Sequence, residues 1–156
     1  MDEGSRLLGI DYGEARIGVA VSDPLRLFAR PHAILAGGGG EDMERLRSLV
    51  EELGVARIVV GLPTDSQGGI GSQALAVIHW ARQLAGIIDF PITFWDESYS
   101  SEAAQAISKK PRRRQAPGRR ETVDDLAAAV ILQDYLDAGG GHHEPGTPLQ
   151  AFSHLP

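Results

Sequence analysis

Residues 6–21 read RLLGIDYGEARIGVAV, which is two short apolar runs on either side of a turn. The first run ends at Asp11, and residues 12–15 supply the turn. Small and β-branched apolar residues then resume at 17–21. This pattern predicts a β-hairpin with an acid at the end of its first strand.

Beyond the hairpin, helical and strand-like patterns alternate along the chain. Strand-like runs are predicted at 56–60 and 90–95, and helical spacing of apolar residues at 42–53, 72–87, 101–108 and 123–137. The predicted fold class is therefore α/β, a mixed sheet in which an antiparallel hairpin joins parallel central strands and helices pack on the sheet.

The length of 156 residues suits one domain, which we expect to cover residues 1–138. Residues 139–156 are rich in Gly, Pro and His. They carry too little apolar surface to pack, so a flexible tail is predicted there. No stretch has the roughly 20 apolar residues of a membrane span, and the first residues lack signal-peptide features. We expect a cytoplasmic protein without a membrane partner.

Composition restricts the chemistry. The chain has no cysteine, so any metal must bind Asp, Glu or His, which favours hard cations such as Mg²⁺ or Mn²⁺. A net charge of −6 argues against nucleic acid, but one segment without acids holds seven of the 15 basic residues: Lys109, Lys110, Arg112, Arg113, Arg114, Arg119 and Arg120. This basic segment suits a polyanion held at one place. A solvated charge run is the alternative.

Two acids stand where apolar strands end, Asp11 after the first strand and Glu97 after the run at 90–95. An acid in this position loses hydration unless a cation, an arginine or backbone N–H groups compensate. Turn capping would explain one such acid. Two acids at the ends of central strands instead predict a shared site, because sites in α/β sheets lie beyond the carboxyl ends of strands.

A third acid comes from the start of the last helix, where Thr122 can cap the helix with Asp125 as its partner. Helical periodicity puts Asp124 over the apolar face formed by Ala127, Ala128, Ile131 and Tyr135, and puts Asp125 at the other margin of that face. It marks Gln133, Asp134 and Asp137 as the solvent face. Periodicity leaves open which aspartate faces the sheet.

If three carboxylates converge, they repel one another and raise each other's pKa unless cations bind. Two Mg²⁺ or Mn²⁺ ions about 4 Å apart would relieve that repulsion and support phosphodiester hydrolysis.

Four blocks in order carry a resemblance that spans almost the whole chain: LGIDYG with RIGVAVSD at 8–23, VVGLP at 59–63, Asp96-Glu97, and VDDLAA at 123–128. They make the sequence similar to the YqgF or RuvX family of pre-16S rRNA nucleases, which is also described as Holliday junction resolvase-like. The resemblance implies an RNase H-like fold, a bacterial origin and a role in maturing the 5′ end of small-subunit ribosomal RNA. It also implies a part in processing branched DNA.

Carried over by position, the resemblance implies that Asp11, Glu97 and Asp124 are the catalytic metal ligands, and it favours Asp124 over Asp125. Asp125 stays a candidate for an additional metal ligand. Arg16 matches a family position that either steadies the turn or meets substrate. Ser98 departs from the family, which has arginine there. The resulting prediction is a two-metal nuclease that uses the basic segment to bind structured RNA, or branched or single-stranded DNA, as a monomer or homodimer.

Two alternatives remain. A non-catalytic nucleic-acid-binding module would use the basic segment alone, and Ser98 is the feature that favours it. An actin-like nucleotide-binding fragment would use the Asp-x-Gly hairpin at Asp11, but those ATPases need a second copy of the fold that this chain has no room for.

Overall fold

The computed structural model describes residues 6–37, 40–64, 69–97, 123–141 and 144–155, without the side chains of residues 123–125. These ranges contain a six-stranded sheet with the strand order β3-β2-β1-β4-β5-β6. The strands are β1 (Arg6–Tyr12), β2 (Arg16–Ser22), β3 (Ala29–Ala36), β4 (Val55–Leu62), β5 (Ile92–Asp96) and β6 (Thr147–Pro148). The helices are α1 (Glu41–Leu53), α2 (Ser72–Ala85) and α3 (Val123–Tyr135).

The sheet is mixed, as predicted. β1 pairs antiparallel with β2, whereas β4 runs parallel to both β1 and β5. β3, which the sequence analysis did not assign, pairs antiparallel with β2 at one edge. Its alternating exposed positions and Pro31 weaken the apolar signal, and a proline is tolerated there because an edge strand has unpaired N–H positions. The helix predicted at 101–108 lies outside the described residues.

Helices cover both faces of the sheet. One face packs on α1 and α2 through a core that includes Leu8 and Ile10 of β1. The opposite face packs on α3 through a second cluster that includes Leu7 of β1. Because side chains alternate along a strand, Leu7, Gly9 and Asp11 share the α3 face.

The α3 helix lies very close to β1. A Cβ added at Gly9 would stand 2.7 Å from the Cβ of Leu132 and 3.1 Å from the carbonyl oxygen of Ala128. Only glycine fits there, since neither neighbouring atom is the end of a flexible side chain. The helix runs antiparallel to β4, because Arg57 donates to the Tyr135 hydroxyl while Gly61 lies beside Ile131.

The predicted solvent face of α3 is wrong at two of its three positions. Asp137 is exposed, but Gln133 and Asp134 are 6% and 5% exposed. The Gln133 amide accepts from the Ala29 N–H at 2.8 Å and donates to the Leu27 carbonyl at 3.1 Å, which ties the β2–β3 loop over the helix. Trp95 donates to Asp134 at 2.7 Å. Periodicity could not reveal these contacts, since they come from distant segments.

The segment after α3 also departs from expectation. A π-helical turn at Leu136–Gly140 ends the helix near the predicted glycines. Residues 144–155 then add β6 to the edge of β5 and form a 3₁₀ turn at Leu149–Phe152. The prediction that this segment cannot pack is wrong, because Leu149, Phe152 and Leu155 contact the core. Its flexibility and the boundary at residue 138 stay predictions. No helix in the described ranges is long and apolar enough to cross a bilayer.

Candidate functional site

Asp11 occupies an open position on the α3 face of the sheet. It is partly buried, and it lies directly opposite Gly18 of β2. The pairing of Ile10 with Val60 places Gly61 of β4 on its other side. Since both neighbours on this face are glycines, no side chain of an adjacent strand occupies the space beside the Asp11 carboxylate.

Glu97 reaches Asp11 from two strands away. It follows β5 directly, and its backbone N–H donates to the Leu62 carbonyl at 3.1 Å, which continues the β4–β5 ladder by one residue. Its side chain passes over Gly61, where an added Cβ would lie 2.6 Å from Glu97 Oε1. The carboxyl group is hydrogen-bonded to Asp11. The two strand-end acids predicted from the sequence are therefore neighbours.

The environment of Glu97 favours its protonated form. Desolvation of the carboxyl group, the charge of Asp11, the hydrogen bond to Asp11 and the charge of Asp96 together raise the pKa of Glu97 from 4.5 to about 7. The residue as a whole is exposed, although its Cγ and Oε1 atoms lie over Gly61 and its carboxyl group is desolvated beside Asp11. A cation that binds such a carboxyl pair replaces the proton and relieves the repulsion between the two acids.

The neighbouring acid is engaged elsewhere. Asp96 accepts a hydrogen bond from the Thr64 hydroxyl at 3.0 Å. It follows Trp95, which belongs to the α3 face, so the alternation of side chains directs Asp96 to the opposite face. The structure thus separates the roles of the two consecutive acids.

The first turn of α3 stands level with Asp11. Ala128 lies beside Gly9, and two residues of strand from Gly9 to Asp11 cover about 6.6 Å. Four helical residues from Ala128 back to Asp124 cover about 6 Å in the same direction, because the helix is antiparallel to the strand. Asp124 and Asp125 both belong to this turn. Their side chains are outside the described part, so the choice between them still depends on the family resemblance.

The remaining predicted residues fall into two groups. Arg16 opens β2 at the same end of the sheet, is exposed, and accepts the Gly13 N–H through its carbonyl at 3.0 Å. Arg16 lies two residues before Gly18 on β2, so its side chain is on the same face of the sheet as that of Asp11. Ser98 and the basic segment lie outside the described residues. The basic residues of that segment are Lys109, Lys110, Arg112, Arg113, Arg114, Arg119 and Arg120.

A cavity of about 570 Å³ opens beside the two acids. Its other walls include Tyr12, Pro63 and the first residues of α2, Ser72 and Gln73. No side-chain hydrogen bond caps α2 and no acid occupies its first turn. The amino end of the helix therefore adds positive potential to a cavity that also contains carboxylates. No motif in the sequence indicated this wall of the cavity.

The donor set fits a hard divalent cation. Asp11 and Glu97 would supply oxygen ligands, and desolvation together with the charge of Asp11 raises the pKa of Glu97, a cost that a bound cation would relieve. Within the described ranges no three Asp, Glu or His side chains converge. A third ligand would come from side chains outside the described part, and the first turn of α3, which stands level with Asp11, offers Asp124 and Asp125.

Comparison with known proteins places these observations in a family. Residues 5–138 match the model of the RuvX family, described as Holliday junction resolvase. A protein from Syntrophomonas wolfei named "Putative pre-16S rRNA nuclease" is 41% identical over 138 residues, covering 86% of this chain and 95% of the relative. Relatives with the same name from Geobacillus kaustophilus and Rubrobacter xylanophilus are 41% and 42% identical, covering 85% and 87% of this chain and 98% and 95% of their own length.

Among solved structures, Thermus thermophilus RuvC in complex with a Holliday junction substrate matches with a TM-score of 0.61 at 15% identity, covering 92% of this chain and 98% of that chain. A second Thermus thermophilus RuvC structure matches with a TM-score of 0.50 at 16% identity, covering 92% and 99%. At this identity the likeness concerns the fold alone, and it confirms the RNase H-like fold class.

Proposed function

The chain belongs to the RuvX family of Holliday junction resolvases, and from this premise we propose that it is a nuclease that hydrolyses phosphodiester bonds of structured nucleic acid with two bound divalent cations. The observation that carries the proposal is the hydrogen-bonded contact of Asp11 and Glu97 at the carboxyl ends of two central strands. A structural role would not require an exposed acid to cross a neighbouring strand and meet a second acid.

In this mechanism the ligands are Asp11, Glu97 and Asp124. When bound, two Mg²⁺ or Mn²⁺ ions supply an activated water and stabilise the departing oxygen. Asp11 lies between Gly18 and Gly61, so no side chain of an adjacent strand would block a cation from approaching its carboxylate on either side. The raised pKa of Glu97, about 7, means that its carboxyl group is partly protonated near neutral pH in the metal-free protein and must lose that proton to act as a ligand.

Substrate positioning requires positive charge, which the acidic body does not supply. The basic segment at 109–120 would hold backbone phosphates, and Arg16 would contact the strand at the rim of the site. The amino end of α2 favours a phosphate on the far wall of the cavity. We propose pre-16S rRNA as the substrate, with branched DNA as the second candidate, since the names of the relatives and of the family give pre-16S rRNA and a Holliday junction. Cleavage in the 5′ region of the rRNA is what the family resemblance implies.

A non-catalytic binding module is the second candidate function, and Ser98 is the observation that favours it. An arginine at that position would bring charge next to Glu97, whereas serine brings none. This alternative expects nucleic-acid binding without cutting in any divalent metal.

Cleavage assays with matched variants test the proposal. Labelled pre-16S rRNA leader, a four-way DNA junction and single-stranded DNA are incubated with Mn²⁺, Mg²⁺ or EDTA. We expect metal-dependent cutting that falls more than about 100-fold in Asp11→Asn, Glu97→Gln and Asp124→Asn, beyond the 10–100-fold cost of losing an outer partner of a metal ligand. Asp125→Asn is the matched control and should retain cutting.

One result would contradict the nuclease activity, and another would contradict the proposed carboxylate site. Binding that persists without cutting in wild type, with every metal and substrate, leaves the binding module. In that case Ser98→Arg shows whether the missing arginine is the cause. Cutting that survives in folded Asp11→Asn removes the carboxylate site from the mechanism.

A further inference from the structure

We propose that Gly61 is a positioning residue of the carboxylate site, because its missing side chain is the opening through which Glu97 crosses β4 to reach Asp11. This inference rests on the proposed function only for its consequence, the loss of metal ligation. The geometric part concerns the protein without metal and can be tested separately.

The order of the strands creates the need for an opening. β4 lies between β1 and β5, so the backbones that carry Asp11 and Glu97 are about 10 Å apart across the sheet. Glu97 must therefore extend over β4 on the α3 face. On the α3 face, the β4 residue that lies level with Asp11 is Gly61. Gly61 pairs with Trp95, two residues before Glu97.

The space above Gly61 is fully used. An added Cβ would lie 2.6 Å from Oε1 and 3.2 Å from Cγ of Glu97, and 2.5 Å from Cδ1 of Ile131. Cβ atoms essentially never approach other heavy atoms within 3.0 Å. Any side chain at position 61 must therefore displace both neighbours.

The two displacements have different consequences. The Cδ1 atom of Ile131 is the end of a flexible side chain, and replacing Ile131 by valine removes that atom without polar cost. Oε1 of Glu97 belongs to the carboxyl group that is hydrogen-bonded to Asp11. It can move away from position 61 only by changing its approach to Asp11. Ile131→Val therefore removes the clash with the helix, so that a side chain at position 61 in this background tests only the placement of the Glu97 carboxyl group.

Gly61 differs from Gly9, which only allows a helix to pack closely on a strand. An added Cβ at Gly9 meets only Leu132 and the Ala128 backbone, so it would disturb the strand–helix contact alone. At Gly61 the same change meets a carboxyl oxygen of the site. Gly61 contributes no group to the reaction and acts through the placement of Glu97.

The test compares Gly61→Ala/Ile131→Val with the Ile131→Val background. In crystal structures of the two metal-free proteins, we expect the Asp11–Glu97 hydrogen bond in the background and its absence in the double variant. Unfolding in urea should show both proteins folded. Mn²⁺ affinity measured by calorimetry should fall at least about tenfold, and kcat for cleavage should fall while KM for nucleic acid stays within about twofold.

The outcomes separate this inference from the proposed function. An intact Asp11–Glu97 bond in the double variant, or Mn²⁺ affinity equal to the background, overturns the role of Gly61. A wild-type protein that neither binds Mn²⁺ nor cuts refutes the nuclease proposal, while the crystal structures still decide whether Gly61 places Glu97. If the double variant does not fold, the same comparison is made in an Ile131→Ala background, which leaves more space.

Discussion

Metal binding should release a proton from Glu97, and the amount should depend on pH in a way that the structure specifies. The perturbation is the addition of Mn²⁺ to metal-free protein between pH 6 and pH 8. Desolvation, the charge of Asp11 and the hydrogen bond to Asp11 raise the pKa of Glu97 to about 7. A carboxyl group must be deprotonated to bind a cation, so the proton leaves when the metal enters.

The magnitude follows from the fraction of Glu97 that is protonated before metal is added. With a pKa of about 7, the release should be about 0.9 proton at pH 6, about 0.5 at pH 7 and about 0.1 at pH 8. The apparent Mn²⁺ affinity should rise nearly tenfold per pH unit below pH 7 and level off above it. An ordinary glutamate would release almost nothing over this range.

Isothermal titration calorimetry in buffers of different ionisation enthalpy measures this release directly. Glu97→Gln is the control, because glutamine keeps the shape of the side chain but has no proton to release in this range. The reasoning is refuted if wild type releases less than about 0.1 proton at pH 7, or if Glu97→Gln releases as much as wild type.

Three further predictions concern stability. The pKa of Glu97 is higher in the folded state than its ordinary value of 4.5. The metal-free protein should therefore lose stability as pH rises from about 4.5 through about 7. Urea unfolding midpoints should show this loss in wild type but not in Glu97→Gln. Phe152→Ala should lower the free energy of unfolding by about 1–3 kcal/mol, since its ring packs edge-on against that of Phe94 with the ring centroids 5.4 Å apart. An unchanged urea midpoint would mean that the C-terminal segment is as mobile as the sequence suggested. Gln133→Ala should cost about 1–3 kcal/mol by leaving the Ala29 N–H and Leu27 carbonyl without the glutamine amide, and faster hydrogen exchange at Ala29 would identify the β2–β3 loop as the affected segment.

The hairpin and the central strands could be predicted because their apolar runs are continuous and local. β3 could not, since its core-facing residues are few and a proline interrupts them. The packing of Leu149, Phe152 and Leu155 was missed for a related reason. Three apolar residues in a glycine-rich tail give no periodic signal, and their value depends on the uncovered edge of β5.

The sequence alone determined which acids could form the site, because an acid that ends an apolar strand needs compensation wherever the strand is placed. Asp11 and Glu97 were identified on that ground, and the family resemblance added Asp124. Only the tertiary structure decided that two of them touch, since Glu97 reaches Asp11 across an intervening strand. Gly61 shows why. A glycine within a strand pattern indicates close approach of another group, but the approaching group lies 36 residues further along the chain, and only the parallel register of β4 and β5 brings it there.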